Sequence, residues 1–143
     1  MIRLTKIFSF ETAHALFGYD GACKDIHGHS YELHVTLTSI ENGDDYLPAP
    51  GIAFDFKEIK RIVNDSIINS LDHKLILSRA FLSNNPAFPI PENLLIWEAE
   101  PSAENMLVYI KKKLSEHLPS EVKLVYLKLY ETKNSYAELC LKS

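Results

Sequence analysis

His27-Gly28-His29 opens a segment in which polar and apolar residues alternate as far as about Ser39. Residues i and i+2 of a strand project from one face, so the two imidazoles can converge on a single ion. His14 ends an earlier run, Phe10-Glu11-Thr12-Ala13-His14, and an adjacent antiparallel strand could bring it beside the pair. Three histidines with an open fourth position make the coordination of a catalytic zinc rather than a structural one. A His-x-His pair alone is weak evidence, since surface or hydrogen-bonded histidines give the same pattern. Gly28 removes side-chain bulk between the two and lets the backbone bend.

Three more positions carry reactive groups. Cys23 lies four residues before His27, in the polar loop Gly21-Ala22-Cys23-Lys24-Asp25. Most free cysteines act as small buried apolar residues, but a nearby metal or Lys24 would lower this thiol's pKa. Cys140, on an apolar strand, reads as packing. Asp72-His73 closes a helical segment, where a carboxylate–imidazole pair is either a cap favoured by the helix dipole or a proton-handling pair. Glu131 terminates an apolar strand, a place where carboxylates are ordinarily solvated.

The elements that would position these residues follow from periodicity. Residues 2–10 alternate as a strand ending near Glu11, and 12–28 read as a loop with glycines at 18, 21 and 28. His29 to Ser39 is a second strand, followed by a turn over Glu41-Asn42-Gly43-Asp44-Asp45. Ile59, Ile62, Val63, Ile67 and Leu71 then take helical spacing, with Asp55 as N-cap. Residues 78–100 show no clear period and read as an irregular excursion. A second helix starts near Ser102 and stops at Pro119, and strands Val122–Tyr130 and Tyr136–Leu141 follow around a turn at 133–135. Strand 122–130 is apolar on both faces, which predicts a partner for one of them and hence oligomerisation. The order ββααββ specifies an α+β fold, an antiparallel sheet with both helices on one face.

Composition agrees with that class. The chain has 143 residues, 46% of them hydrophobic and 24% charged, as in a single globular domain spanning 1–143. A formal charge of −4 argues against a strongly basic nucleic-acid surface. Two cysteines are too few for a disulfide scaffold, and no apolar run reaches membrane-spanning length, so a cytoplasmic protein without membrane or nucleic-acid partners is expected.

Taken in order, six segments resemble the 6-pyruvoyl-tetrahydropterin and 6-carboxy-tetrahydropterin synthase family over nearly the whole chain. They are Phe8-Ser9-Phe10-Glu11-Thr12-Ala13-His14; Cys23 with His27-Gly28-His29; Gly51-Ile52-Ala53-Phe54-Asp55-Phe56; Leu71-Asp72-His73; Pro101-Ser102-Ala103-Glu104-Asn105; and Tyr130-Glu131-Thr132. The resemblance implies the tunnelling fold, a four-stranded antiparallel sheet with two helices, whose subunits join their sheets into a barrel with active sites at subunit interfaces. It implies a zinc-dependent lyase with His14, His27 and His29 as ligands. Cys23 would be the general base, Asp72 and His73 a proton-handling pair, and Glu131 with Thr132 the pterin-binding end. A homohexamer of two trimers is expected.

Within the family, the three-residue gap between Cys23 and His27 and the form Phe-Glu-Thr-Ala-His resemble the carboxy branch, which serves queuosine (7-deazapurine) synthesis. That branch converts 7,8-dihydroneopterin triphosphate to 6-carboxy-tetrahydropterin, acetaldehyde and triphosphate. The alternatives are the pyruvoyl-forming synthase, which stops after triphosphate elimination and isomerisation, and a pterin-binding module without turnover. Ile76-Leu77 stands where the family commonly has Leu-Asn, Ser102 where threonine is usual, and Lys24, Lys74 and Lys133 are triphosphate candidates by charge alone.

Overall fold

The computed structural model describes residues 1–41, 43 and 45–142. Strand β1 (Leu4–His14) and strand β2 (His27–Ser39) pair antiparallel without a break, from Leu4 opposite Leu37 to His14 opposite His27. Alternation carries Phe8, Phe10, Thr12 and His14 to the buried face of β1, and Tyr31, Leu33, Val35 and Leu37 to the same face of β2. Phe10 and Tyr31 stack there with ring centroids 5.1 Å apart, a contact worth roughly 0.5–1.5 kcal/mol beyond burial. Both strands reach further than sequence periodicity suggests. The hairpin ladder continues through Thr12–His14 and His27–Gly28, where glycine and histidine hide the alternation.

Two helical stretches cover this face. Helix α1 (Phe56–Val63) runs on through a π-helical segment, Asn64–Ile68, into α2 (Asn69–Leu71). Asp55 caps α1 by accepting the Lys57 amide, as its sequence position predicts. Helix α4 (Ala103–His117) is capped by Ser102, which accepts from the Asn105 amide. Ile59, Ile62, Val63, Ile67 and Leu71 interlock with Met106, Leu107, Ile110 and Leu114 over the sheet in one continuous core.

The sheet has six strands, in the order β4-β3-β1-β2-β5-β6, not the four expected. The additions, β3 (Lys74–Ser78) and β4 (Leu94–Trp97), are parallel, and β3 extends the end of β1 by pairing Thr12–His14 with Lys74–Ile76. The excursion 78–100 is thus partly regular, holding α3 (Arg79–Asn84), capped by Ser78, and β4. These elements escape periodicity for a physical reason. Leu75, Ile76 and Leu77 are all buried, so β3 has no alternation, and β4 has only four residues.

Strand β5 (Val122–Thr132) carries a second correction. Its register on β2 shifts between Thr36 and Leu37, leaving Val125 as the extra residue of a bulge. The bulge reverses the alternation, so Val122 and Leu124 pack on the same core as Leu127 and Leu129. The doubly apolar pattern is therefore absorbed within one chain and calls for no partner. Strand β6 (Ser135–Cys140) completes the sheet. The expected turn over 41–45 includes Asn42 and Asp44, which lie outside the described residues. Cys23 and Cys140 are both free thiols. Among the described residues no helix is long and apolar enough to cross a membrane.

Candidate metal centre

The β1–β2 hairpin places His14 opposite His27 and Thr12 opposite His29. Leu129 of β5 lies opposite Leu33 on the buried face, so Glu131, two residues on, arrives on that face as well. His14, His27, His29 and Glu131 accordingly gather at one end of the core, with one potential ligand atom from each within 4.8 Å of the others. His14 Nε2 is 3.1 Å from His27 Nε2 and 3.4 Å from Glu131 Oε1, while His29 Nε2 is 3.1 Å from the same oxygen. The rings meet edge to face, with centroids 4.6 to 5.1 Å apart.

Backbone carbonyls orient two of the rings. His14 Nδ1 lies 2.6 Å from the Pro101 carbonyl and His27 Nδ1 lies 2.7 Å from that of Asp25. A carbonyl only accepts, so each Nδ1 carries the proton and each Nε2 turns a lone pair inward. Two acceptors 3.1 Å apart repel unless a cation or a proton lies between them. Nitrogens bound to one tetrahedral zinc at 2.0–2.1 Å would stand about 3.3 Å apart, close to the separation found. His29 Nε2, out of line for a hydrogen bond to Glu131, is a buried polar atom without a partner. The donor set therefore fits a divalent ion of intermediate softness, with imidazoles held from behind as metal-site histidines usually are.

The electrostatics reinforce this. Burial, more than the neighbouring charges, pushes the His29 imidazolium down, so His29 favours the neutral, ligating form. The Glu131 carboxyl is held below its usual range chiefly by the neighbouring His14, against the opposing effect of its own burial. Tyr31, buried beneath the cluster with its hydroxyl 3.4 Å from His14 Nδ1, has its phenol pushed well up by burial.

The remaining expected site residues are more dispersed. Cys23 sits half-buried in a short 3₁₀ turn, Ala22–Lys24, where its carbonyl accepts the Leu16 amide. Asp72 and His73 lie past the end of α2, on the far side of β1. Asp72 accepts the Glu11 amide at 2.8 Å, and the His73 amide donates to the Glu11 carbonyl at 2.6 Å. His73 Nδ1 is 3.0 Å from Asp72, and the residue adopts φ 60°, a left-handed conformation costly for a non-glycine residue. Neither residue caps the helix through its side chain. His73 lines a cleft of about 410 Å³ with Glu11, Thr12, Ala13, Gly28, His29 and Ser30 among others. Glu11, Ala13, Gly28 and Ser30 alternate with the core-facing side chains, and His29 of the cluster also lines this cleft; further along the same face, α3 packs Phe81 and Leu82 near Ala13 and Leu75. Thr132 lies beside Lys133 and Ser30 at the rim of a neighbouring cleft, Lys74 lines the His73 cleft itself, and Lys24 lines a third.

Sequence reasoning anticipated the histidines but not the convergence of Glu131 with them, nor the carbonyls of Pro101 and Asp25. A backbone acceptor leaves no signal in residue type.

A six-stranded α+β sheet, helices on one face and a His₃Glu cluster at one end define the tunnelling-fold class with a potential metal centre. Solved structures of that fold align along the chain: Caenorhabditis elegans 6-pyruvoyl tetrahydropterin synthase (TM-score 0.70, 20% identity, 99% of this chain and 96% of that one) and the Plasmodium falciparum enzyme of the same name (0.72, 20%, 96% of each). The family model for 6-pyruvoyl tetrahydropterin synthase matches residues 3–140, and the chain belongs to that family. Its relatives include the 6-carboxy-5,6,7,8-tetrahydropterin synthases of Rickettsia typhi (29% identity, covering 97% of this chain and all of the relative) and Haemophilus influenzae (28%, 96% and 98%). A putative synthase of the same name from Methanocaldococcus jannaschii is 34% identical over 76% of this chain and 72% of its own length.

Proposed function

We propose that the protein is a zinc-dependent 6-carboxy-5,6,7,8-tetrahydropterin synthase. It would convert 7,8-dihydroneopterin triphosphate and one water to 6-carboxy-tetrahydropterin, acetaldehyde and triphosphate, for queuosine synthesis in the cytoplasm. The observation that carries this reading is the set of three imidazoles, two of them held by carbonyls with Nε2 turned to a common point. The names of the bacterial relatives favour the carboxy product over the pyruvoyl one.

His14, His27 and His29 hold the zinc, which supplies Lewis acidity toward the hydroxyls of the substrate side chain. Cys23, on the loop beside the cluster, takes the proton from the carbon that bears a hydroxyl. Asp72 orients His73 through the 3.0 Å contact, and His73 returns or removes protons in the later steps. Such transfers typically contribute 10²–10⁴-fold each. Glu131 accepts the paired N–H donors of the pterin ring, with Thr132 at the same end of β5. In this reading His73, which lines an open cleft together with His29, acts with a second copy, and the site is shared between subunits of a hexamer. The chain's exposed surface of 8737 Å² supports assembly; a compact monomer of this mass would expose about 7,500 Å².

The test is incubation of zinc-loaded protein with 7,8-dihydroneopterin triphosphate and mass spectrometry of the products. Release of acetaldehyde with 6-carboxy-tetrahydropterin is expected. Accumulation of 6-pyruvoyl-tetrahydropterin would assign the other branch, and unchanged substrate would leave a binding module.

A further inference from the structure

His14 is aimed by a carbonyl whose own position needs explaining. Pro101 has no N–H, so the turn that presents its carbonyl cannot be tied down through that residue's amide. The turn is held one residue earlier, where the Glu100 carbonyl accepts two hydrogen bonds, from the Ser102 amide at 2.9 Å and from Asn105 Nδ2 at 2.8 Å. Asn105 is the third residue of α4 after the Ser102 cap. In a capping box that position is Glu or Gln, and its side chain accepts the N-cap amide. Here the roles are exchanged: the N-cap amide and the Asn105 amide group both donate to Glu100. A helix needing only a cap has no use for this second donor, since Ser102 Oγ already accepts the Asn105 backbone amide.

We infer that Asn105 is a positioning residue for the metal centre. By clamping the Glu100 carbonyl it fixes the Pro101 carbonyl, which holds the proton on His14 Nδ1 and leaves the Nε2 lone pair facing the ion. The chain of contacts is Asn105 to Glu100, Glu100 through one peptide to Pro101, and Pro101 to His14, the most buried of the three histidines. The inference rests on the metal reading of the cluster, and its test separates the two.

Asn105→Asp is nearly isosteric but has no N–H to donate, and a carboxylate in the first helical turn suits the dipole, so the helix should not suffer. Zinc affinity measured by competition with a chromophoric chelator should fall about tenfold, the lower end of the loss when a ligand's outer partner is removed. In metal-free protein with ¹⁵N-labelled histidine, His14 should shift from the Nδ1–H form to a mixture of tautomers. Ser102→Ala is the comparison. It removes the cap, so it should lower the melting temperature while leaving zinc affinity within twofold of wild type. Asn105→Asp that keeps both wild-type affinity and the Nδ1–H tautomer would overturn the inference. Should wild type itself take up no zinc, the metal reading fails, and the tautomer comparison alone then decides the role of Asn105.

Discussion

The two sides of β1 near its end do different work with the same strand. On the buried side, His14 meets His27, His29 and Glu131, all from one chain and all fixed by sheet register. At the edge facing β3, Glu11 holds Asp72 and His73 through its backbone, and His73 opens toward a cleft, 80% exposed. The first constellation is complete as folded. The second has a strained backbone and an imidazole open to solvent in the cleft it shares with His29. Alternation sends the Thr12 and His14 side chains to the core, while the Glu11 backbone, whose N–H and C=O lie in the plane of the sheet, ties down the Asp72–His73 segment. Register alone brings the four metal-capable side chains together, whereas the Asp72–His73 pair depends on backbone contacts to Glu11.

The largest effect should come from breaking the buried side. His29→Ala removes an imidazole with no hydrogen-bond partner to miss, leaving too few ligands for tight zinc binding. Elemental analysis after gel filtration should find most of the metal gone with the fold intact by circular dichroism. Full occupancy in that variant would mean that the cluster is not the site.

Next comes the division between the two sides. Cys23→Ala and His73→Ala should each keep zinc and lose roughly 10²–10⁴-fold in kcat, as removal of a proton-transfer group does. When the two inactive variants are mixed and reassembled in equal amounts, about a quarter of the sites in a symmetric oligomer should regain both groups. Recovery to that level places Cys23 and His73 in one active site drawn from two chains. No recovery would put each site within a single chain, and the comparison drawn here would fail.

Much of the buried side is legible in the sequence and little of the other. His27-Gly28-His29 announces its geometry because strand spacing alone converges the rings. Asp55 and Ser102 declare the helix starts, because a cap is a local hydrogen bond. Asp72 and His73 are visible as residue types, yet their attachment to Glu11 is made through backbone atoms 61 positions away, which no spacing encodes. Strands β3 and β4 escape for want of alternation, and the bulge at Val125 mimics a second apolar face. Glu131 looks solvated because its partners come from two other strands.

A smaller effect concerns the attachment of the proton pair. The Asp72 carboxyl is held below its usual range, chiefly by the Glu11 amide and further by His73. A carboxyl whose folded value lies below its unfolded one stabilises the protein while ionised. That contribution is full above about pH 4, and it is lost as pH falls through the depressed folded value. Asp72→Ala should therefore cost stability near pH 7, below about 1 kcal/mol because the group is partly exposed. The gap between variant and wild type should narrow in urea unfolding at about pH 3. A gap independent of pH would mean that the carboxylate's charge plays no part in holding the segment.

The smallest effect is expected at Gly28, and it bears on what approaches the cleft lined by His73. Gly28 has no left-handed backbone, and an added Cβ would meet only ordinary contacts, 3.8 Å from the Thr12 carbonyl oxygen and 3.9 Å from the Ala13 Cβ. Glycine within a strand costs about 0.5–1 kcal/mol relative to alanine. Gly28→Ala should therefore raise the melting temperature by a few degrees at most and leave zinc content unchanged. The sequence suggests that the glycine serves the bend between the histidines, but the hairpin has room for a methyl group. The space that methyl would occupy belongs to the cleft shared with Glu11, Ser30 and His73. If substrate or a second copy closes on that cleft, kcat/KM should fall several-fold in a variant that is no less stable. Unchanged kcat/KM with raised stability would show that nothing approaches closely there, and that the reacting side of the molecule is the buried one alone.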